Sequence, residues 1–148
     1  MKTIIRKMKE EDLIDVLLIA REFSKEAPLT HKWDKDKTVE FLESALNSSN
    51  MEIFISESNG EVTGAIVGLF THMFMSHKKV ATELAWFVTK EARGKPSSIK
   101  LVKVFESWAK EMGADYTIMG DIKGISDLGS LYERMNYEAA ETAYIKEI

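Results

Sequence analysis

The sequence predicts one α/β (α+β) domain over residues 1–148: a mixed, mostly antiparallel sheet flanked by helices, in the order β-α-α-β-β-β-α-β-α-β. Three observations carry this expectation. Asn59-Gly60 stands between two alternating runs, the signature of a tight hairpin. Leu101, Val102, Phe105, Trp108, Ala109 and Met112 recur at spacings of three and four, which is one face of a helix. Helical and alternating patterns then take turns along the chain, with only two prolines to interrupt them.

Residues 3–7 read as the first strand. From Asp12 to Lys25 the apolar positions Leu13, Val16, Leu17, Ala20 and Phe23 share one helical face. Pro28 ends that helix, because it has no N–H to donate and it biases Ala27 away from helical angles. A second helix runs from Asp36 to Asn47 on Val39, Leu42, Ala45 and Leu46, with Asp34 or Asp36 as its cap. Met51–Ser56 and Val62–Phe70 form the hairpin, and a loop holding His72, Met73, Phe74, Met75 and His77 leads to a strand at Val80–Thr89. The helix from Ser97 to Met112 closes on Gly113, the residue best suited to a left-handed cap. Asp115–Gly120 reads as a short strand, Asp127–Met135 as a short helix and Ala143–Ile148 as a last strand. Met73, Phe74 and Met75 are expected to pack in the interior.

Composition excludes several functions. The chain has no cysteine, so it has no disulfide, no thiolate nucleophile and no cysteine metal site. Net charge is −4 with dispersed basic residues, which argues against a nucleic-acid partner. No apolar run approaches the ~20 residues of a membrane span, and no signal-peptide core follows the N-terminus. A cytoplasmic domain with no membrane partner is expected. His72 and His77 lie five apart without a third ligand, a spacing that fits neither strand nor helix coordination, so no metal is expected.

Several segments together resemble the GNAT (GCN5-related N-acetyltransferase) family. Ile5-Arg6 and Glu11-Asp12-Leu13 are similar to its first strand and opening helix, and Asn59–Gly68 to its second hairpin. Glu83–Val88 followed by Arg93-Gly94 resembles its acyl-CoA strand and turn, and Leu131-Tyr132-Glu133-Arg134-Met135-Asn136-Tyr137 its late helix. Two departures stand out. In the pyrophosphate turn, Pro96 and Ser98 occupy the positions of the motif glycines, and Asn136 replaces the glycine before the late aromatic.

The resemblance implies an N-acetyltransferase that moves an acetyl group from acetyl-CoA to a small-molecule or peptide amine in a ternary complex. It implies that backbone at Phe87 and Val88 pairs with the pantetheine arm and polarises the thioester carbonyl. In such a fold the turn and helix start at Gly94, Lys95, Ser97 and Ser98 offer N–H groups to the pyrophosphate, with charge from Arg93 and Lys95. Tyr132 is implied as the donor to the departing thiolate, since a phenol near pKa ~10 suits a thiol near ~8.5. Glu83 is implied as the base, with Asp121 behind it. His31 and Trp33, in the link between the first two helices, are implied to line the acceptor site. The plain readings beside these are a core tyrosine, a solvated strand glutamate and an ordinary capped helix. A GNAT-like module that binds CoA or a protein with little or no catalysis is the alternative. A homodimer is expected, because Ala143, Ile145 and Ile148 would need cover at the late edge of the sheet.

Overall fold

Strands β1 (Thr3–Lys7), β2 (Met51–Ser58), β3 (Glu61–His72), β4 (Lys79–Val88) and β5 (Tyr116–Ile118) lie side by side in chain order in the computed structural model. It describes all residues except 1, 28–32 and 123–126. The first four strands are antiparallel neighbours, and β5 runs parallel to β4. A parallel return needs a crossover, which α3 (Pro96–Met112) supplies. The β2–β3 turn is closed by Asn59 and Gly60, both at positive φ (53° and 83°).

The sheet separates two apolar clusters. Helices α1 (Leu13–Glu26) and α2 (Lys35–Leu46) cover one face, burying Val16, Ile19, Leu42 and Ala45 against Ile53, Ile55, Val67 and Phe87. On the other face α3 buries Leu101, Val102, Phe105, Trp108 and Ala109 against Phe54, Ile66 and Ala81. Close approach of α3 depends on Gly68, where a Cβ would stand 2.7 Å from both Phe105 and Trp108. Asp34 caps α2 by accepting from the Lys37 N–H at 2.8 Å. Gly113 ends α3 at φ 89°, as its position after Met112 suggests. A 3-10 turn at Glu10–Asp12 leads into α1, and Arg6 grips Asp12 with two bonds of 2.7 and 2.9 Å. The Arg6 guanidinium thereby holds the Asp12 carboxyl below the usual carboxylate range.

Two expectations are corrected. The last strand, Ala143–Ile148, does not form: after α4 (Gly129–Arg134), residues 137–148 carry no helix or strand, and Tyr144 is 91% exposed. An alternating segment gains stability only where one of its faces is buried. The neighbouring strand here is only three residues long, and its Tyr116 and Ile118 face solvent. Nor do Phe74 and Met75 pack in the interior; they are 90% and 84% exposed at the tip of the β3–β4 hairpin, which the Met73 N–H closes onto the Lys78 carbonyl at 2.9 Å.

The ladder between β3 and β4 contains one irregularity. Ala85 pairs with Val67 but Glu83 pairs with Gly68, so β4 carries one extra residue, Leu84. Such a bulge changes which side chains share a face. Glu83 and Trp86 are three apart and would point to opposite faces of a regular strand. With Leu84 looped out, both stand on the α3 face, opposite Gly68 and Ile66.

Candidate active site

β4 and β5 pair only over Val80–Thr82 and Tyr116–Ile118. Beyond Thr82, β5 supplies no ladder partner to β4, and this edge continues through Val88 to the 3-10 turn at Lys90–Ala92. The gap that opens there is bridged through the backbone of one residue. The Gly120 N–H donates to Glu83 Oε1 at 3.2 Å, and the Tyr132 hydroxyl donates to the Gly120 carbonyl at 2.6 Å. Both residues implied in catalysis therefore meet on the backbone of one residue just past the end of β5, each bound to one of the two amides that flank Gly120.

Their environments set their chemistry. Burial pushes the Glu83 carboxyl up from 4.5 to about 7, partly opposed by the Gly120 N–H. It is therefore not a solvated strand glutamate, but a carboxylate able to exchange its proton near neutral pH. Burial, with the negative charges of Glu83 and Asp121, raises the Tyr132 phenol well above its ordinary value. Tyr132 thus stays protonated and acts as a donor. Its ring lies 6.5 Å from Trp86 and 5.6 Å from Tyr137. Tyr137 is itself held, its hydroxyl 2.8 Å from Thr117 Oγ1 and donating to Glu106 at 2.9 Å. Asn136 adopts φ 66°, the left-handed conformation its place in the motif requires.

The turn at the far end of β4 has the expected shape but fewer free groups. Gly94 sits at φ 74°, and Pro96 takes the first helical position. The Lys95 N–H bonds to the Ala92 carbonyl at 3.2 Å and the Ser98 N–H to the Lys95 carbonyl at 3.1 Å. Ser98 is buried, and its hydroxyl also donates to Lys95 O, at 2.8 Å. Lys95 and Ser98 therefore do not offer open N–H groups, because the turn already uses them. Gly94 and Ser97 keep N–H groups without a partner among the described residues. The Arg93 side chain is paired with Glu26, the last residue of α1, and Lys90 lies 3.7 Å from the same carboxylate.

Trp33 lies just before the Asp34 cap with its indole nitrogen buried. His31 falls outside the described residues. Asp121 accepts from the Leu128 N–H at 3.3 Å, at the start of α4. A separate cavity of about 460 Å³ opens beside the Asn59–Gly60 turn, lined by Thr3, Ser58, Asn59, Lys95, Ser97 and Lys100; neither Glu83 nor Tyr132 reaches it. Among the described residues no group of three or more His, Asp or Glu side chains is arranged to hold a metal, and no helix is long and apolar enough to cross a membrane. Sequence reasoning missed Gly120, Glu26 and Trp86. Only Trp86 had a side-chain signal, a large aromatic on the implied cofactor strand.

No family model and no curated protein matches the chain in sequence. Solved structures do match. An aminoglycoside N-acetyltransferase, AAC(6')-Iy, in complex with CoA superposes with a TM-score of 0.83 at 15% identity, covering 99% of this chain and 95% of that one. Glucosamine-6-phosphate N-acetyltransferase from Arabidopsis thaliana gives 0.80 at 16% identity, covering 99% of both chains. Ribosomal-protein-alanine N-acetyltransferase from Brucella melitensis biovar Abortus gives 0.80 at 16%, covering 100% of both. At these identities the likeness establishes the fold, which is that of the GNAT acetyltransferases.

Proposed function

We propose that the chain is a single-domain, cytoplasmic, acetyl-CoA-dependent N-acetyltransferase acting on a small-molecule or peptide amine. The observation that carries this reading is the meeting of Glu83 and Tyr132 on the Gly120 backbone, where β4 and β5 part. The acyl donor fits the groups left open: the unpaired edge of β4 at Phe87 and Val88, the N–H groups of Gly94 and Ser97, and the exposed charge of Lys95. The likeness to a structure solved in complex with CoA supports the same donor.

Each residue has one task. Glu83 takes a proton from the ammonium form of the acceptor, whose pKa of ~10.4 would otherwise keep it unreactive. The freed nitrogen forms its bond to the acyl carbon as the carbon–sulfur bond breaks. Tyr132 turns its hydroxyl from the Gly120 carbonyl toward the departing sulfur and hydrogen-bonds it; the proton that the acylated nitrogen then sheds goes to that thiolate, so amide and thiol both leave neutral. Trp33, with His31 beside it in sequence, would line the acceptor side. No covalent intermediate is needed, which suits a chain without cysteine.

A second reading, a CoA- or protein-binding module with weak catalysis, draws on the turn. Pro96 has no N–H, those of Lys95 and Ser98 are used internally, and Arg93 is engaged by Glu26. Thiol release from acetyl-CoA with a panel of amines separates the two readings. Binding itself is tested by melting: a ligand at a hundred times its Kd adds ~2.7 kcal/mol. A chain of this size should then melt on the order of 5 °C higher in millimolar acetyl-CoA. No shift, with no heat of binding by calorimetry, would overturn the donor assignment.

The chain is further proposed to work as a homodimer. Support comes from β5, which ends the sheet with exposed Tyr116 and Ile118, rather than from a final strand. Gel filtration with light scattering should give about twice 16.8 kDa at micromolar concentration. A mass of 16.8 kDa throughout the range would leave the chain a monomer.

A further inference from the structure

Among the described residues two buried side-chain donors have no hydrogen-bond partner: the indole N–H groups of Trp33 and Trp86. Folded proteins rarely leave a buried donor unpaired, and a missing ligand is one of the few explanations. Trp33 adjoins residues that are not described; Trp86 stands within the site. It lies on the stretch of β4 that β5 does not pair, and the Leu84 bulge turns it to the same face as Glu83. Its ring is 6.5 Å from that of Tyr132.

The chemistry of the indole narrows what the missing partner is. An indole N–H donates and cannot accept, so its partner is an acceptor atom and not an ammonium. Glu83 serves the amine and Tyr132 the sulfur. The remaining reacting group is the carbonyl oxygen of the thioester, which gains negative charge as nitrogen attacks. A donor placed before that charge develops is worth most inside a dry cleft.

Resting on the acetyl-CoA reading, we propose that Trp86 Nε1–H hydrogen-bonds the acyl carbonyl oxygen of the donor, as a side-chain complement to the backbone of Phe87 and Val88. Trp86 is then a residue that distinguishes acylated from free CoA, through an atom that only the acylated form possesses.

Trp86→Phe keeps an aromatic ring and removes the donor. Three results are expected together. The melting temperature of the unliganded variant falls by no more than the smaller ring costs in packing, because the deleted N–H had no partner in the fold. Affinity for acetyl-CoA falls by about tenfold while affinity for free CoA changes less than about twofold, and kcat/KM falls by roughly tenfold to a thousandfold. In the wild-type chain, the Trp86 indole N–H resonance moves downfield with acetyl-CoA and much less with CoA. That measurement stands even if the variant does not fold.

Other outcomes overturn the inference. A Trp86 indole N–H resonance already shifted downfield in the unliganded wild type means the N–H has a partner within the protein. Equal losses for CoA and acetyl-CoA place the contact on the pantetheine arm, and unchanged affinity for both assigns the N–H to a trapped water. Failure of the wild-type chain to bind either ligand would instead defeat the donor assignment itself, a result distinct from all three.

Discussion

Glu83→Gln is expected to make the protein more stable at neutral pH while removing most of its turnover. Glutamine keeps an oxygen for the Gly120 N–H to donate to, so the bridge across the gap survives. It cannot take a proton, and loss of a positioned general base costs roughly 10²–10⁴ in rate. The stability gain follows from the direction of the Glu83 shift. Burial raises its pKa from 4.5 to about 7, so the folded chain binds this proton more tightly than the unfolded one. Stability from this group is fully present below 4.5 and is lost as pH rises through about 7. The full displacement corresponds to at most about 3 kcal/mol by pH 8. The glutamine variant escapes that loss. Turnover of the wild type should run the other way, rising with pH to a plateau above about 7 as the carboxylate forms. Denaturant melts at pH 5 and 8, set beside a pH–rate profile, check both signs at once. A variant that is no more stable at pH 8, and still active, would return Glu83 to a structural role.

Tyr132→Phe should lower kcat by roughly tenfold to a thousandfold, with KM for acetyl-CoA nearly unchanged. The hydroxyl has one proton to give. In the unliganded fold that proton goes to the Gly120 carbonyl, and burial together with the charges of Glu83 and Asp121 keeps it on the phenol. Gly120 is exposed, so water can replace the lost donor, and the stability cost should be only about 1 kcal/mol. A large kinetic loss with a small thermodynamic one is the pattern of a group used in the transition state. Unchanged turnover would make Tyr132 a packing residue beside Trp86 and Tyr137.

What was legible in the sequence was local. Asn59-Gly60 announces its turn because few other pairs accept two positive φ angles. The α3 stripe is written in the spacing of Leu101 to Met112, and Gly113 and Asn136 signal their left-handed backbone by residue type, the first having no Cβ and the second a short amide side chain. Glu83 and Tyr132 are named through resemblance, and the fold brings them to the backbone of one residue. What was not legible depends on partners distant in the chain. Gly120 acts through its backbone alone, so no side chain could mark it. Glu26 meets Arg93 across 67 residues, which hides that the turn's arginine is already paired. The run Glu83-Leu84-Ala85-Trp86 reads as a regular strand, because a bulge is set by the register of the neighbour and not by the strand that bears it. The C-terminal alternation misled because alternation records a preference, whereas a strand needs an edge to join and a face to bury.

The extra residue in β4 also separates two kinds of tolerance to mutation. Leu84 is exposed and packs into neither apolar cluster, so exchanging it for another side chain should disturb little. Its removal is another matter. Deleting it would leave Glu83 two residues from Trp86, still on the α3 face opposite Gly68 and Ile66, but in an unbroken ladder with β3. What would be lost is the local bend that a bulge gives its strand, and with it the aim of the Glu83 carboxylate at the Gly120 N–H. Residue 84 contributes a curvature rather than a side chain.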